Sequence, residues 1–162
     1  MSYLICMAPS QAYIHGEIGR LITRLGRIWR RESDQALSDH GLSYATAIPL
    51  LVLSRQGETV RQGVLADELG IEGPSLVRLI DLLQAEGLVE RREDPTDRRA
   101  KTLHLTKSGE AKVEETNRVL RRVRASLLKD IPPEELAITF ETLQRIERRA
   151  SLLDAKALPE AK

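Results

Sequence analysis

The sequence is poor in cysteine, aromatic residues and long apolar runs, and each shortage excludes a class of protein. Cys6 is the one cysteine among 162 residues, so the chain cannot form a disulfide within itself and a reducing compartment is favoured. Aromatic residues make up 3%, too few for a core or a ligand site built mainly from stacked rings. No stretch approaches the roughly 20 apolar residues of a membrane span, and residues 1–10 lack the basic start of a secretory signal. We therefore expect a cytoplasmic protein.

An excess of one charge is also missing. The 25 basic and 24 acidic residues leave a formal net charge of +1, so any binding of nucleic acid must depend on where the charges lie. The three histidines, at positions 15, 40 and 104, are scattered and have no cysteine partner, so we predict no metal site. No pair of carboxylates, and no nucleophile with a base, stands out from the sequence. We therefore expect neither an enzyme nor a cofactor.

Apolar residues repeat at three- and four-residue steps along most of the chain, which predicts helices. The first predicted helix covers residues 10–38 and ends before Gly41, and a second, apolar on nearly all sides, covers residues 43–55. Two long amphipathic helices come later, over residues 107–129 and from Pro133 onward. The apolar faces of the first and last helices are too long for a small domain to cover. We therefore expect a second copy of the chain to bury them.

The middle of the chain combines two short helices with a hairpin. One short helix is predicted over residues 60–69, and a second begins at Pro74 and runs to Glu86. Two short extended runs, residues 88–92 and 100–105, follow on either side of a charged loop. The pattern predicts a mainly α fold that is α+β only through this small wing hairpin. The winged helix-turn-helix covers residues 43–105, between dimerisation helices in residues 1–42 and 106–162.

The helix that begins at Pro74 carries the groups that a DNA-reading helix needs. At about 100° per residue, its large apolar residues fall on one side, and Ser75 and Arg78 fall on the other. The residues predicted to pack inward are Leu76, Ile80 and Leu83. An arginine fork fits guanine O6 and N7, and backbone amides from Gly73 onward lie at the positive helix end, where a phosphate can bind. An ordinary amphipathic helix with one solvent-facing arginine has the same pattern, so the helix alone does not decide.

The hairpin is rich in basic residues. Within eleven residues lie Arg91, Arg92, Arg98, Arg99 and Lys101, partly offset by acids that include Asp97. An acid so close can pair with a neighbouring arginine and stiffen the loop, and a stiff arginine suits the negative potential of a narrow minor groove. A charged hairpin by itself is usually only solvated. Directly after a helix-turn-helix, it predicts contact with DNA.

Three segments of the chain resemble the MarR/SlyA family of bacterial transcriptional regulators, and most of all its SlyA-like branch. They are LADELGIEGPSLVRLIDLLQAEGLVERRE, DRRAKTLHLTKSGE and RIWR. The resemblance implies a homodimer that binds a pseudopalindromic operator in double-stranded DNA, with Ser75 and Arg78 in the major groove and the Asp97 to Arg99 loop as the wing tip. The full set of predicted DNA-binding residues is Gly73, Pro74, Ser75, Arg78, Arg91, Arg92, Asp97, Arg98, Arg99 and Lys101.

The resemblance also implies a small-molecule effector, since many relatives respond to aromatic acids bound between the dimerisation helices and the winged domain. Trp29, His40 and Tyr44, on or beside the first two helices, are predicted to line such a pocket, although packing in the core or the dimer seam explains each of them as well. Two alternatives stay open. One is a regulator that senses oxidants through Cys6, and the other is a winged helix that binds a protein instead of DNA.

Overall fold

The computed structural model of the chain describes residues 10–57, 60–94 and 101–157. The elements in chain order are α1 (Gln11–Ser38), α2 (Tyr44–Gln56), β1 (Val60–Arg61), α3 (Gln62–Leu69), α4 (Gly73–Ala85), β2 (Val89–Glu93), β3 (Lys101–Leu105), α5 (Lys107–Leu127) and α6 (Pro133–Ala157). The predicted mainly α winged helix-turn-helix is confirmed. Contacts within the chain divide it after Val123 into two units, and α6 belongs to the second. The assignment of residues 43–105 to DNA binding and of the rest to dimerisation stays a prediction.

The junction of α1 and α2 is fixed by capping contacts. Gly41 adopts a positive φ of 66°, the left-handed conformation expected after the end of α1. Asp34 of α1 accepts a hydrogen bond from the backbone amide of Tyr44 over 2.7 Å. Amides at the start of a helix lack intrahelical partners and carry partial positive charge, so this carboxylate stabilises the first turn of α2. The same contact holds the start of α2 against α1.

The core of the first unit lies among α2, α3, α4 and the sheet. The inward face predicted for α4 is confirmed, because Leu76, Ile80 and Leu83 are all fully buried. Opposite them lie further buried leucines: Leu50 and Leu53 of α2, Leu65 of α3 and Leu103 of β3. The prediction for the preceding helix is partly wrong. Residues 60–69 were expected to form it, whereas α3 begins only at Gln62 and Val60 belongs to a strand.

The wing is a three-stranded sheet. β3 pairs antiparallel with β2, with Arg91 opposite Leu103, and also with the two-residue strand β1, so the strand order is β1-β3-β2. Because β3 is central, Thr102 and Leu103 are both buried although successive side chains of a strand point to opposite faces. The two strands of the predicted hairpin are confirmed. β1 was not predicted, because two residues are too few to show a period.

The start of α5 is packed directly against the turn between α4 and β2. Thr106 caps the helix: its Oγ1 accepts a hydrogen bond from the amide of Gly109 over 3.0 Å and donates one to the carbonyl of Gly87 over 2.6 Å. A Cβ atom added to Gly109 would lie 2.0 Å from the carbonyl oxygen of Leu88. A glycine is therefore required at this approach, which joins α5 rigidly to the winged region.

The apolar faces of the two terminal helices are exposed in the single chain. On α1 the exposed apolar residues are Ile14, Ile18, Leu21, Ile22 and Leu25, and on α6 they include Ile138, Phe140, Leu143, Ile146 and Leu153. The helices thus follow the predicted periodicity, and their apolar side chains meet solvent. Surfaces of this kind mark sites of association.

Candidate nucleic-acid interface

The first turn of α4 is open to solvent. Gly73, Pro74 and Ser75 are all exposed there. Pro74 has no N–H, and the amide of Ser75 already donates to the carbonyl of Glu72 over 3.0 Å, as does the amide of Leu76 over 3.1 Å. A phosphate at this helix end would therefore depend on the helix dipole and on side chains more than on these amides.

Arg78 lies one turn further along α4, on the face opposite the buried residues. It is exposed, and among the residues that the structure describes it forms no ion pair. The hydroxyl of Ser75 lies three residues before it, and residues at this spacing are neighbours on a helix surface. The exposed face of α4 therefore offers a hydroxyl and an unoccupied guanidinium side by side.

Arg91 differs from Arg78 although both were predicted to contact DNA. Its guanidinium is directed at α4: Nη1 lies 2.5 Å from Asp81 Oδ1, and Nη2 donates to the carbonyl of Val77 over 3.3 Å. Only 24% of the side chain is exposed. The sequence placed Arg91 in a basic cluster, but its partner became visible only once β2 was seen to pack on α4.

Two other basic residues of the sheet form weak, exposed ion pairs. Arg92 pairs with Glu90 of the same strand, and Lys101 Nζ lies 3.3 Å from Glu93 Oε1 across the ladder. Both basic residues are exposed, and exposed pairs of this kind contribute about 0–1 kcal/mol. Phosphate groups can therefore compete for these cations at little cost.

The wing strand β2 is held at its end by a second ion pair. Asp94, which follows β2, is 5% exposed and accepts a hydrogen bond from Arg61 Nε over 2.7 Å. The wing residues Asp97, Arg98 and Arg99 lie outside the described residues, as does Cys6. Their predicted roles stay predictions.

A cleft of about 850 Å³ lies between α1, α2 and the helix-turn-helix. Its polar wall carries Arg27 and Arg30 of α1, and the Arg30 guanidinium stacks over the ring of Tyr44 at 5.2 Å from the ring centroid. Ser75 and Leu79 of α4 also line the cleft. The space therefore reaches the helix that carries Arg78. The two arginines were missed as pocket residues, although their three-residue spacing beside the predicted Trp29 was a usable signal.

The three residues predicted for an effector pocket are placed differently. Tyr44 lines the cleft, whereas Trp29 and His40 are half-buried and are not among its lining residues. His40 Nδ1 lies 2.9 Å from Glu115 Oε1 on α5, and Lys112 Nζ donates to Glu115 Oε2 over 2.8 Å. These hydrogen bonds, that from Lys112 first, hold the pKa of Glu115 below its usual range. His40 thus joins the turn after α1 to α5.

Residues 10–57, 60–94 and 101–157 contain neither a cluster of metal ligands nor a helix that could cross a membrane. No group of three or more histidine, cysteine, aspartate or glutamate side chains in these ranges is arranged to hold a metal ion. None of the described helices combines the length and the apolar character that crossing a membrane requires.

Comparison with known proteins identifies the family. A sequence model of the MarR family matches residues 40–100. The crystal structure of a MarR family transcriptional regulator from Rhodococcus sp. RHA1 is 30% identical over 85% of this chain and 96% of that chain, with a TM-score of 0.74. The chain belongs to the MarR family. It has the winged helix-turn-helix fold of these transcriptional regulators.

Two other solved MarR-type structures contain ligands. A cysteine-to-serine variant of MarR from E. coli, solved in complex with operator DNA, is 24% identical over 85% of this chain and 99% of that chain, with a TM-score of 0.74. CouR from Rhodococcus jostii RHA1, solved with p-coumaroyl-CoA, is 25% identical over 90% of this chain and 94% of that chain, with a TM-score of 0.71. Proteins of this fold thus bind operator DNA in one case and an aromatic acyl thioester in the other.

Proposed function

We propose that this MarR family member is a transcriptional regulator that binds a pseudopalindromic operator as a homodimer and acts by binding, without catalysis. The observation that carries the proposal is the exposed face of α4, where Ser75 and Arg78 stand beside each other and Arg78 has no ion-pair partner among the described residues. In this proposal α4 enters the major groove and Arg78 reads a guanine through O6 and N7. Gly73 and Pro74 approach the sugar–phosphate backbone.

The wing supplies affinity in this proposal. The basic residues that would contact phosphates or enter the minor groove are Arg92, Arg98, Arg99 and Lys101, with Asp97 holding the loop. Arg92 and Lys101 exchange their carboxylate partners for phosphates when DNA binds. These phosphate contacts release counterions from DNA, so affinity depends steeply on salt. Contacts of this kind add binding energy without sequence preference.

The homodimer is supported by the exposed apolar faces of α1 and α6. A twofold dimer would bury these faces and present two copies of α4 to adjacent major grooves, which are about 34 Å apart along B-DNA. An operator read in this way has two half-sites related by the same twofold axis. A single winged region would read one half-site with much lower affinity.

The experiment that tests this function begins with selection of bound sites from random duplex DNA. Arg78→Ala should then cost about 1–3 kcal/mol at the selected operator, measured by fluorescence anisotropy at fixed salt, and should relax the preference at one base pair. Arg78→Lys is the matched control, because it keeps the positive charge but loses the two-pronged guanidinium. We expect the lysine variant to lose sequence preference while it retains non-specific binding.

Two outcomes would refute this assignment. If Arg78→Ala leaves affinity and base preference unchanged, α4 does not read the operator. Equal, weak binding to selected and scrambled duplexes with a shallow salt slope would instead favour a winged helix that binds another protein.

We also propose that the cleft between α1, α2 and α4 binds a small aromatic carboxylic acid. Arg27 and Arg30 offer cations for the carboxylate, and Tyr44, Ile48 and Pro49 offer apolar surface for the ring. Because Ser75 and Leu79 line the same cleft, a bound acid touches the helix that reads DNA. It releases the operator only if it binds better to the form that does not fit DNA.

Calorimetric measurement of 4-coumarate binding tests the effector proposal. Arg30→Met should weaken binding of the acid by about tenfold or more, as expected when a charge-assisted hydrogen bond of about 1.5–3 kcal/mol is lost, and should leave the weak binding of the uncharged amide unchanged. An equal effect of the substitution on acid and amide would contradict recognition of the carboxylate by Arg30.

A further inference from the structure

Arg91 of β2 is the basic residue of the wing whose side chain is committed to α4. Val89 and Arg91 are two residues apart on β2 and share its α4-facing side, and Val89 is buried. From that side the Arg91 guanidinium reaches Asp81 Oδ1 over 2.5 Å and the carbonyl of Val77 over 3.3 Å. These acceptors are four residues apart, on successive turns of α4. Because the carbonyl of residue i in an α-helix points toward the amide of residue i+4, both acceptors lie within reach of one planar guanidinium.

The contact is not optimised for stability. Arg91 Nε is buried and has no hydrogen-bond partner among the described residues. A half-buried ion pair with an unsatisfied N–H is often no better for stability than apolar side chains of the same size. The contact instead fixes an orientation, because the two donors of the guanidinium match two acceptors at fixed positions on α4. An apolar contact would not fix the orientation of β2 on α4 in this way.

The contact also neutralises a carboxylate on the DNA-facing side of α4. The Asp81 side chain is 56% exposed and lies three residues after Arg78. An unpaired carboxylate at this point would repel phosphates, and Arg91 supplies the compensating charge. Arg91 thereby acts on the reading face of α4 without extending toward solvent.

The same strand is fixed at its other end. Asp94 directly follows β2 and is ion-paired with Arg61 of β1 over 2.7 Å. β2 is therefore attached to the recognition helix at Arg91 and to the far edge of the sheet three residues later. Beyond Asp94 the chain continues into residues 95–100, which carry Arg98 and Arg99. The orientation of β2 therefore fixes the position of Asp94, from which the chain continues toward these two arginines.

We propose that Arg91 is a positioning residue, which clamps α4 to the wing strand through Asp81 and Val77 and so sets the relative placement of the two DNA-contacting elements. The inference rests on the proposed function. It replaces the expectation that Arg91 itself contacts DNA. The proposal predicts that loss of the clamp lowers the ratio of specific to non-specific affinity. The spacing of helix and wing matters for binding at the operator, whereas binding to random sequence does not depend on it.

The test uses Arg91→Met, Asp81→Asn and the double variant in the full-length protein, with a selected operator and a scrambled duplex. Arg91→Met should lower the specificity ratio roughly tenfold, and Asp81→Asn should lower it less, because the bond to the Val77 carbonyl remains. The double variant should lower the ratio no further than Arg91→Met alone. The slope of affinity against salt should stay that of the wild type for Arg91→Met, since no phosphate contact is lost. Glu86→Gln is the matched control: it removes one negative charge at the end of α4, where Glu86 is exposed, and should leave the ratio unchanged.

A direct DNA contact by Arg91 predicts the opposite pattern. Arg91→Met would then weaken specific and non-specific binding together and reduce the salt slope by about one, and Asp81→Asn would strengthen both by freeing Arg91. This result overturns the proposal. So does a specificity ratio that is unchanged in both single variants.

Hydrogen exchange in the absence of DNA separates this proposal from the proposed function. Amides of α4 in the free protein should exchange faster in Arg91→Met, which removes both hydrogen bonds of the clamp, and to a smaller extent in Asp81→Asn. Unchanged exchange overturns the clamp whatever the DNA result. A wild-type protein that selects no site refutes the proposed function, whereas variants that keep the wild-type specificity ratio at a selected site refute only the positioning role.

Discussion

Two sets of apolar residues in this chain follow the same helical spacing and meet opposite surroundings. In the winged region Leu50, Leu76 and Ile80 are fully buried within one chain. On the terminal helices Leu21 is 51% exposed and Phe140 is 62% exposed. Spacing reports only that residues share a face of a helix. The comparison therefore separates side chains that stabilise the fold of one chain from side chains that are free to associate.

The largest expected effect comes from placing charge on the exposed set. If the proposed homodimer forms through α1, Leu21→Glu combined with Leu25→Glu should produce a folded monomer, because two carboxylates cannot be buried without partners. Affinity for the full operator should fall on the order of 10²–10⁴-fold, since the half-sites are no longer bound together. Analytical ultracentrifugation gives the mass, circular dichroism the helix content, and anisotropy the affinity.

Gln35→Glu on α1 is the control for this variant, since it adds one negative charge to the same helix at an exposed polar position. It should leave the association state unchanged. A double glutamate variant that remains dimeric would show that α1 does not contribute to the interface, and the comparison between the two sets would then hold only for α6.

A smaller effect is expected on the free energy of unfolding, which should depend on association for the exposed set and not for the buried set. Ile80→Ala should lower the free energy of unfolding by about 2–5 kcal/mol, in the wild type and in the monomeric variant alike. Phe140→Ala should destabilise only the dimer. Urea unfolding of both substitutions in both backgrounds forms a double-mutant cycle. If Phe140→Ala is equally costly in the monomer, the exposed set stabilises the single chain and the distinction fails.

The smallest effect concerns the link between the turn after α1 and helix α5. The pKa of Glu115 is lowered in the folded chain by its hydrogen bonds to Lys112 and His40. Its contribution is therefore present above the unfolded-chain pKa of about 4.3 and is lost as the pH falls through the lower folded value. The free energy of unfolding should therefore fall less on acidification in Glu115→Gln than in the wild type. The difference should be less than about 1 kcal/mol, since the pair is partly exposed.

Urea unfolding between pH 7 and pH 3 measures this difference. Glu114→Gln, at the exposed neighbouring position, is the control and should follow the wild type. Identical acid dependence in the Glu115 variant and in the control would show that the link does not contribute to stability.

The local features of the fold were predictable because they depend on neighbours in sequence. Helix periodicity and the left-handed Gly41 each involve residues within one or two turns, and the structure confirms them. The strand β1 was not predictable. Its two residues form a strand only because β3 lies beside them, and the same pairing places Arg61 opposite the buried Thr102.

The candidate site shows the same division. The inner face of α4 followed from spacing, and so did the outward direction of Arg78. The direction of Arg91 did not, because its partner Asp81 is ten residues away on a different element. The basic lining of the cleft was missed for the same reason, since Arg30 meets Tyr44 only when α1 and α2 are packed together.

The sequence by itself determined where the helices lie, which side of α4 faces inward and which family the chain resembles. The tertiary structure alone decided that β3 is the central strand and that Arg91 is bound to the recognition helix while Arg78 is free of described ion pairs. The reason is physical. Helix and strand geometry repeats every few residues and so appears in local patterns, whereas the faces that meet, and the charges that neutralise each other, depend on contacts between distant parts of the chain.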